Sequence, residues 1–456
     1  MMNKNENQMA EMPVAKLMLK MGLPIILSMM LQALYNIVDS AFVSNMEGGE
    51  AALNALTLAF PVQMLMVAIG IGTGVGVNVM LARSLGEGNR EKAATVAGNG
   101  MFLGAVITAV FMLSGCFGTD AFISGQTGDA VIREMAGTYL RICCICSAGI
   151  VFFSLFEKLL QATGLSLCST IAQVSGAVIN IVLDPVMIYG LCGFPKLGVA
   201  GAALATVIGQ VASFMLALVF HLTRNKSVRN GLRYLRPKAP IIRLIYQIGL
   251  PAIIAQALMS VMTFGINVIL GAADASLVTA YGLYYKIQQF VLFAAFGLRD
   301  TITPIVSFGY GMQNKKRVRD GVKYGVLYTS AIMLTGTLLL ELIAVPLCAA
   351  FGLSGSTQAL CVSATRIISA GFFFAGICLA LQGVFQALGK GGASLVISLL
   401  RQLILILPAA WGLSLLIQPD LSNAWIVWLT FPAAELVTAA VVVLLLLRIQ
   451  RGGKTA

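Results

Sequence analysis

The sequence has little charge. Only 11% of its 456 residues are Asp, Glu, Lys or Arg, against about 25% in a typical soluble domain. It has a single histidine, His221, which excludes histidine-rich metal sites and histidine proton relays. Acids are scarce, 18 against 30 basic residues, so each acid inside an apolar run stands out. The nine cysteines are scattered, mostly within apolar stretches. Cys143 and Cys146 make one C-x-x-C spacing with Cys144 between them, but there is no second pair and no nearby histidine, so they read as small residues in helix packing. No cofactor is expected. A membrane-embedded enzyme would need metal ligands or a nucleophile–base pair, and the sequence supplies neither.

What the chain does have is hydrocarbon. Hydrophobic residues make up 58% of it, and the mean hydropathy is +0.90. A chain this apolar needs lipid as its solvent. A membrane-spanning helix takes about 20 apolar residues. Breaks at charged, Gly and Pro clusters give twelve candidate spans: Leu17–Val43, Ala52–Leu81, Ala94–Phe117, Thr138–Phe156, Leu167–Leu191 and Gly198–Leu222, then Ile242–Leu270, Val278–Phe308, Gly321–Phe351, Ala364–Leu388, Ala393–Ile417 and Ala424–Leu447.

The basic residues orient these spans. With the N-terminus inside, the outer segments hold only Arg133, Arg141, Lys196 and Arg366. Lys286, Arg299 and Arg401 remain within spans, and the other Lys and Arg residues, Lys158 among them, fall on the cytoplasmic side. The net charge of +12 is therefore a topology signal and an attraction to anionic lipid, with no call for nucleic acid. The expected organisation is a cytoplasmic tail at 1–16, a first lobe at 17–222, a cytoplasmic linker at 223–241, a second lobe at 242–447 and a cytoplasmic tail at 448–456. The chain is thus expected in the cell membrane with both termini cytoplasmic.

The halves repeat. KLMLKMGLP at Lys16–Pro24 returns as RLIYQIGLP at Arg243–Pro251, and GEGNREKA at Gly86–Ala93 returns as GMQNKKRV at Gly311–Val318. Arg141-Ile142 matches Arg366-Ile367, and QATG at Gln161–Gly164 matches QALG at Gln386–Gly389. Each half has an even number of spans, so both enter from the same side. This predicts an all-α integral membrane fold: twelve transmembrane helices in two pseudo-twofold-related six-helix lobes around a central cavity.

Carboxylates inside a membrane are costly and mark function by default. Asp39, Asp184, Asp300, Glu341 and Glu435 lie within spans. Asp184 follows Asn180 by four residues, so the two share one helix face. Pro185 comes next and frees nearby carbonyls as possible ligands. Asp39 in the first span, Asp184 in the fifth and Thr206 in the sixth reach a similar depth in the outer half of the membrane. Two carboxylates, an amide and a hydroxyl suit a proton or a hard cation such as Na⁺. At the repeat spacing, Asp39 falls opposite Ile266 and Asp184 opposite Ala409, which confines that chemistry to the first lobe. Asp300 adjoins Arg299 and reads as an ion pair, Arg401 is a candidate partner for Glu435, and Lys286 is placed to snorkel.

These residues bring the sequence close to a known family. GLP at Gly22–Pro24, LQALYNIVDSAFVS at Leu31–Ser44, ARSLGEGNREKA at Ala82–Ala93, NIVLDP at Asn180–Pro185, GLP at Gly249–Pro251 and TPIVSFGYGMQNKKRV at Thr303–Val318 resemble the multidrug and toxic compound extrusion (MATE) transporters. The resemblance covers nearly the whole chain. It implies an antiporter that exports cationic or amphipathic small molecules in exchange for H⁺ or Na⁺, working as a monomer. It implies a cation-coupling site at Asp39, Asn180, Asp184 and Thr206, with any Na⁺ held at the first three. It also implies a substrate cavity at Gln32, Tyr35 and Asn36, to which Gln256, Lys286, Arg299 and Asp300 are added as polar candidates of the second half. One branch of the family carries a seventh-helix glutamate and a tenth-helix aspartate. Here the seventh span offers only Gln256 and the tenth has no acid, so the resemblance is to the branch with its cation site in the first lobe. The rival reading is a flippase for lipids or lipid-linked saccharides, which favours several cavity cations to hold phosphate.

Overall fold

In lipid every backbone N–H and C=O must find its partner within the protein, and a helix meets this need within one segment. The apolar runs accordingly fold as helices. The structure, a computed structural model, describes residues 4–46, 48–350, 354–417 and 421–451, and no strand occurs among them. In chain order the helices are α1 (Lys4–Glu11), α2 (Val14–Ser44), α3 (Gly49–Gly86), α4 (Arg90–Phe117), α5 (Thr119–Ser124), α6 (Ala130–Ile145), α7 (Ala148–Ala162), α8 (Ser166–Tyr189) and α9 (Val199–Arg224). They continue as α10 (Ala239–Ala273), α11 (Ala275–Gly311), α12 (Lys315–Ala350), α13 (Gly355–Ser369), α14 (Phe372–Ala387), α15 (Gly391–Leu399), α16 (Ile406–Ser414), α17 (Trp425–Trp428) and α18 (Thr430–Arg451).

Among the described residues, ten helices are long and apolar enough to cross a membrane, or twelve if each of two bent pairs is one span. The pairs are α6 with α7, bent by 46°, and α13 with α14, bent by 50°. They occupy the expected fourth and tenth spans. The sequence places the fourth at Thr138–Phe156, but the helical pair is longer at both ends and breaks at Cys146-Ser147. The eleventh span is also irregular: a π-helical segment at Leu400–Ile404 joins α15 to α16, a local widening common at functional sites.

The chain divides into two compact units. One comprises Met1–Met12 and Leu23–Ile253, the other Pro13–Gly22 and Ile254–Ala456. The chain crosses between the units three times, once between α1 and α2 and twice inside a helix within a few residues of a proline, Pro24 in α2 and Pro251 in α10. The early turns of α10 pack in the first unit, where Ile245 and Ile253 lie against Gly76 and Gly72 of α3. In the second unit Gly22 lies against Leu298 and Thr301 of α11.

The expected linker is folded onto the first unit. Its short 3-10 turn, Leu232–Leu235, fits against α4 where Gly98 leaves no side chain; a Cβ there would strike the Tyr234 carbonyl. Asn99 holds the irregular backbone on both sides, accepting from Lys238 N at 2.7 Å and donating to Tyr234 O and Arg236 O at 3.4 and 3.3 Å. The Tyr234 hydroxyl donates to Glu91 at 2.8 Å.

Lys158 corrects the charge map read from the sequence. It is not on a cytoplasmic loop; it lies in α7, 3% exposed. Its Nζ donates to Gln161 Oε1 at 3.1 Å and sits 3.8 Å from Glu157. The first unit therefore does hold a buried cation, already engaged by its own helix.

Candidate functional site

The first unit gathers its polar groups where α2, α8 and α9 meet. Close approach of α8 and α9 is permitted by Gly176, whose missing side chain leaves room for Ser213 and the Gly209 carbonyl. One and two turns on, Asn180 and Asp184 present one face, as their spacing predicts. Asn180 Nδ2 lies 3.4 Å from Asp184 Oδ1 and 3.4 Å from Thr206 Oγ1 of α9. Asp39, late in α2, brings its carboxyl close to that of Asp184, and the hydroxyl of Tyr35, one turn earlier, lies near Thr206. Asp184 is fully buried, and Asn180 and Thr206 nearly so.

The arrangement is short of positive charge and of donors. Asp39 Oδ1, Asp184 Oδ2 and Asn180 Oδ1 are buried and meet no hydrogen-bond donor among the described residues. Unpaired oxygens in an apolar surround are expensive. Two facing carboxyls and an amide oxygen are completed by a proton shared between the acids, or by a hard cation that accepts oxygen ligands. Among the described residues no group of three His, Cys, Asp or Glu could hold a metal ion.

The expected coupling residues Asp39, Asn180, Asp184 and Thr206 thus come together. Of the expected cavity residues, Tyr35 joins them directly. Gln32 lies two turns earlier on α2 and accepts from Gln173 Nε2 at 3.2 Å. The side chain of Asn36 lies outside the described residues. Gln256, Lys286, Arg299 and Asp300 belong to the second unit. Lys286 is exposed and Gln256 half-buried, while Arg299 Nε and Nη2 bind Asp300 Oδ1 at 3.1 and 3.0 Å. Arg401 pairs with Glu435, with contacts of 2.7 to 3.0 Å, and Glu341 meets Arg366 at 3.5 Å.

Sequence reading missed four contributors. Tyr139 and Cys143 of α6 are buried within electrostatic reach of Asp39, and Gln63 of α3 donates to the Tyr139 hydroxyl at 3.3 Å. Their i,i+4 spacing put Tyr139 and Cys143 on one face, but nothing in the sequence aimed that face at Asp39. Gln173 was findable: it lies seven residues before Asn180, two turns down the same face.

The repeat and the acid cluster now stand beside comparison with known proteins. The family model described as MatE matches residues 24–186 and 251–411. The chain belongs to the MATE family. It is 24% identical over 404 residues to the multidrug export protein MepA of Staphylococcus aureus, with 86% of each chain covered. It superimposes on the crystal structure of MATE in complex with MaL6 with a TM-score of 0.91, 26% identity and full coverage of both chains. On the crystal structure of MATE in the straight conformation the TM-score is 0.92, at 25% identity and again full coverage. This MATE chain is accordingly a multi-pass membrane protein with twelve spans in two lobes, the bent pairs each counting as one.

Proposed function

We propose that this MATE chain is a secondary efflux transporter of the cell membrane, with both termini cytoplasmic. It exports amphipathic or cationic small molecules in exchange for H⁺ or Na⁺ entering at Asp39, Asn180, Asp184 and Thr206. Membership of the family supports the efflux reading, and the export role of MepA agrees with it. The observation that carries the coupling site is the set of three buried oxygens without donors, two of them on facing carboxyls.

The cycle follows from charge. With both acids ionised, the cluster favours a cationic substrate in the cavity of its lobe. A proton or Na⁺ neutralises the acids and removes that preference, so substrate leaves on the outer side. An ion drives such a change only through different affinity for the two states, and the facing carboxyls provide the difference: they repel when ionised and bind one another once a proton lies between them. The proline of α2, Pro24, offers a place for that helix to bend as its acid end repacks. One chain with its own two lobes suffices for alternating access.

Transport of ethidium into inverted vesicles tests this, driven in turn by a proton and by a sodium gradient. Acceleration by one gradient, lost in Asp39→Asn and Asp184→Asn, identifies the ion and the site. Equal export with and without both gradients, by folded protein, overturns it.

A further inference from the structure

In the second unit α12 and α13 run antiparallel and touch at several levels. Thr337 Oγ1 donates to Ser369 O at 2.8 Å. One turn on, Glu341 meets Arg366 at 3.5 Å. Nearer the end of α12, Gln358 Nε2 reaches Val345 O at 3.5 Å. At this end lie Cys348 and Cys361, their Sγ atoms 3.2 Å apart. Both are fully buried, against Ala280 and with Leu283, Leu360 and Val362 packed around them.

The repeat shows that packing does not require sulfur there. The spacing that pairs Arg141 with Arg366 pairs Ile123 with Cys348 and Ala136 with Cys361. Ile123 and Ala136 are both fully buried hydrocarbon. The first unit fills the position with an apolar pair; the second places two thiols in contact, on helices already held in register by the bonds below them.

We infer that Cys348 and Cys361 form a native disulfide that staples α12 to α13. The inference rests on the proposed orientation, which puts the end of α12 at the outer face, where disulfides persist. The oxidant is a protein disulfide of the thiol-exchange class in that compartment. The thiolate of one cysteine attacks it, forming a mixed disulfide and releasing one thiol. The second cysteine then attacks the mixed disulfide, closes the bridge and releases the other. Two cysteine thiols lose two protons and two electrons, and one disulfide of the oxidant becomes two thiols. Because both sulfurs are buried in the packed unit, the exchange precedes the docking of α13 on α12. The bridge spans 13 positions and joins the two helices.

Thiol counting tests the inference on the full chain. Cells are quenched in acid, and the protein is denatured and alkylated with a maleimide before and after reduction. Of the nine cysteines, the wild type should yield seven labels unreduced and nine reduced. Cys348→Ala and Cys361→Ala should each yield eight in both conditions. Nine labels in unreduced wild type overturn the bridge, and so do six labels in unreduced Cys348→Ala, which would put the disulfide on two other cysteines. The exposed Cys192, on the same side by the proposed orientation, separates the two readings. Its labelling in intact cells by a membrane-impermeant maleimide upholds that orientation, so that a count of nine then condemns the disulfide alone. Absence of that labelling overturns the orientation and the inference with it.

Discussion

The two units share a repeat but treat buried charge in opposite ways. In the second, each buried acid has a cation of its own: Asp300 has Arg299, and Glu435 has a bidentate Arg401. In the first, Asp39 and Asp184 face each other with no cation paired to them among the described residues, while a buried cation of that unit, Lys158, is occupied by Glu157 and Gln161. Paired charge is satisfied and static. Unpaired facing acids are satisfied only by something that arrives, which is what an ion-coupled transporter requires.

A second contrast lies where α3 crosses α7 and where α11 crosses α14. The stem of Lys158 lies over Gly74, and the stem of Arg299 lies over Gly383. At the repeat spacing of about 225 residues, Gly74 matches Arg299 and Lys158 matches Gly383. Each crossing keeps one cation and one glycine, but the helices have exchanged them. What the two units hold in common is a buried ion pair at a crossing, built from either side.

The largest effect should come from breaking a pair on one side. Arg401→Ala takes the buried Glu435 from its cation, and Lys158→Ala takes Glu157 from its own; each should destabilise by about 3–5 kcal/mol, read as a fall in thermal midpoint in detergent. Arg401→Met with Glu435→Leu should recover most of that loss. The exchange Gly74→Lys with Lys158→Gly, which copies the arrangement of the second unit, should likewise be more stable than either single change. An exchange no better than the worse single variant breaks the comparison.

Next in size is the acid cluster. Asp39→Asn or Asp184→Asn should lower gradient-driven export roughly 5- to 150-fold, the usual range of coupling free energies, while leaving the thermal midpoint near wild type. A large loss of stability instead would show these acids to be structural, like those of the second unit. Asn99→Ala removes the clamp on the linker and should cost about 1–3 kcal/mol through unsatisfied backbone groups, with faster proteolysis at 225–238 as the readout. The smallest change is Tyr139→Phe, which deletes one hydroxyl beside the cluster. It should cost about 0.6–1.7 kcal/mol and shift the ion dependence of export without abolishing it.

Much of this was legible in the chain itself. The apolar runs determined twelve spans because lipid tolerates few charges and no unsatisfied backbone. The ordered recurrence of GLP, GEGN/GMQN and QATG/QALG determined two halves. Asn180 and Asp184 were tied together by four residues of spacing, a local property of any helix. Only tertiary structure decided the rest, because each remaining fact depends on which helix faces which. It turned Tyr139 and Cys143 toward Asp39, drew Lys158 from an apparent loop into the core of its unit, bound the linker to α4 through Asn99, and set Cys348 against Cys361. Periodicity reports the face a residue shares with its own helix; the partner across the gap comes from packing.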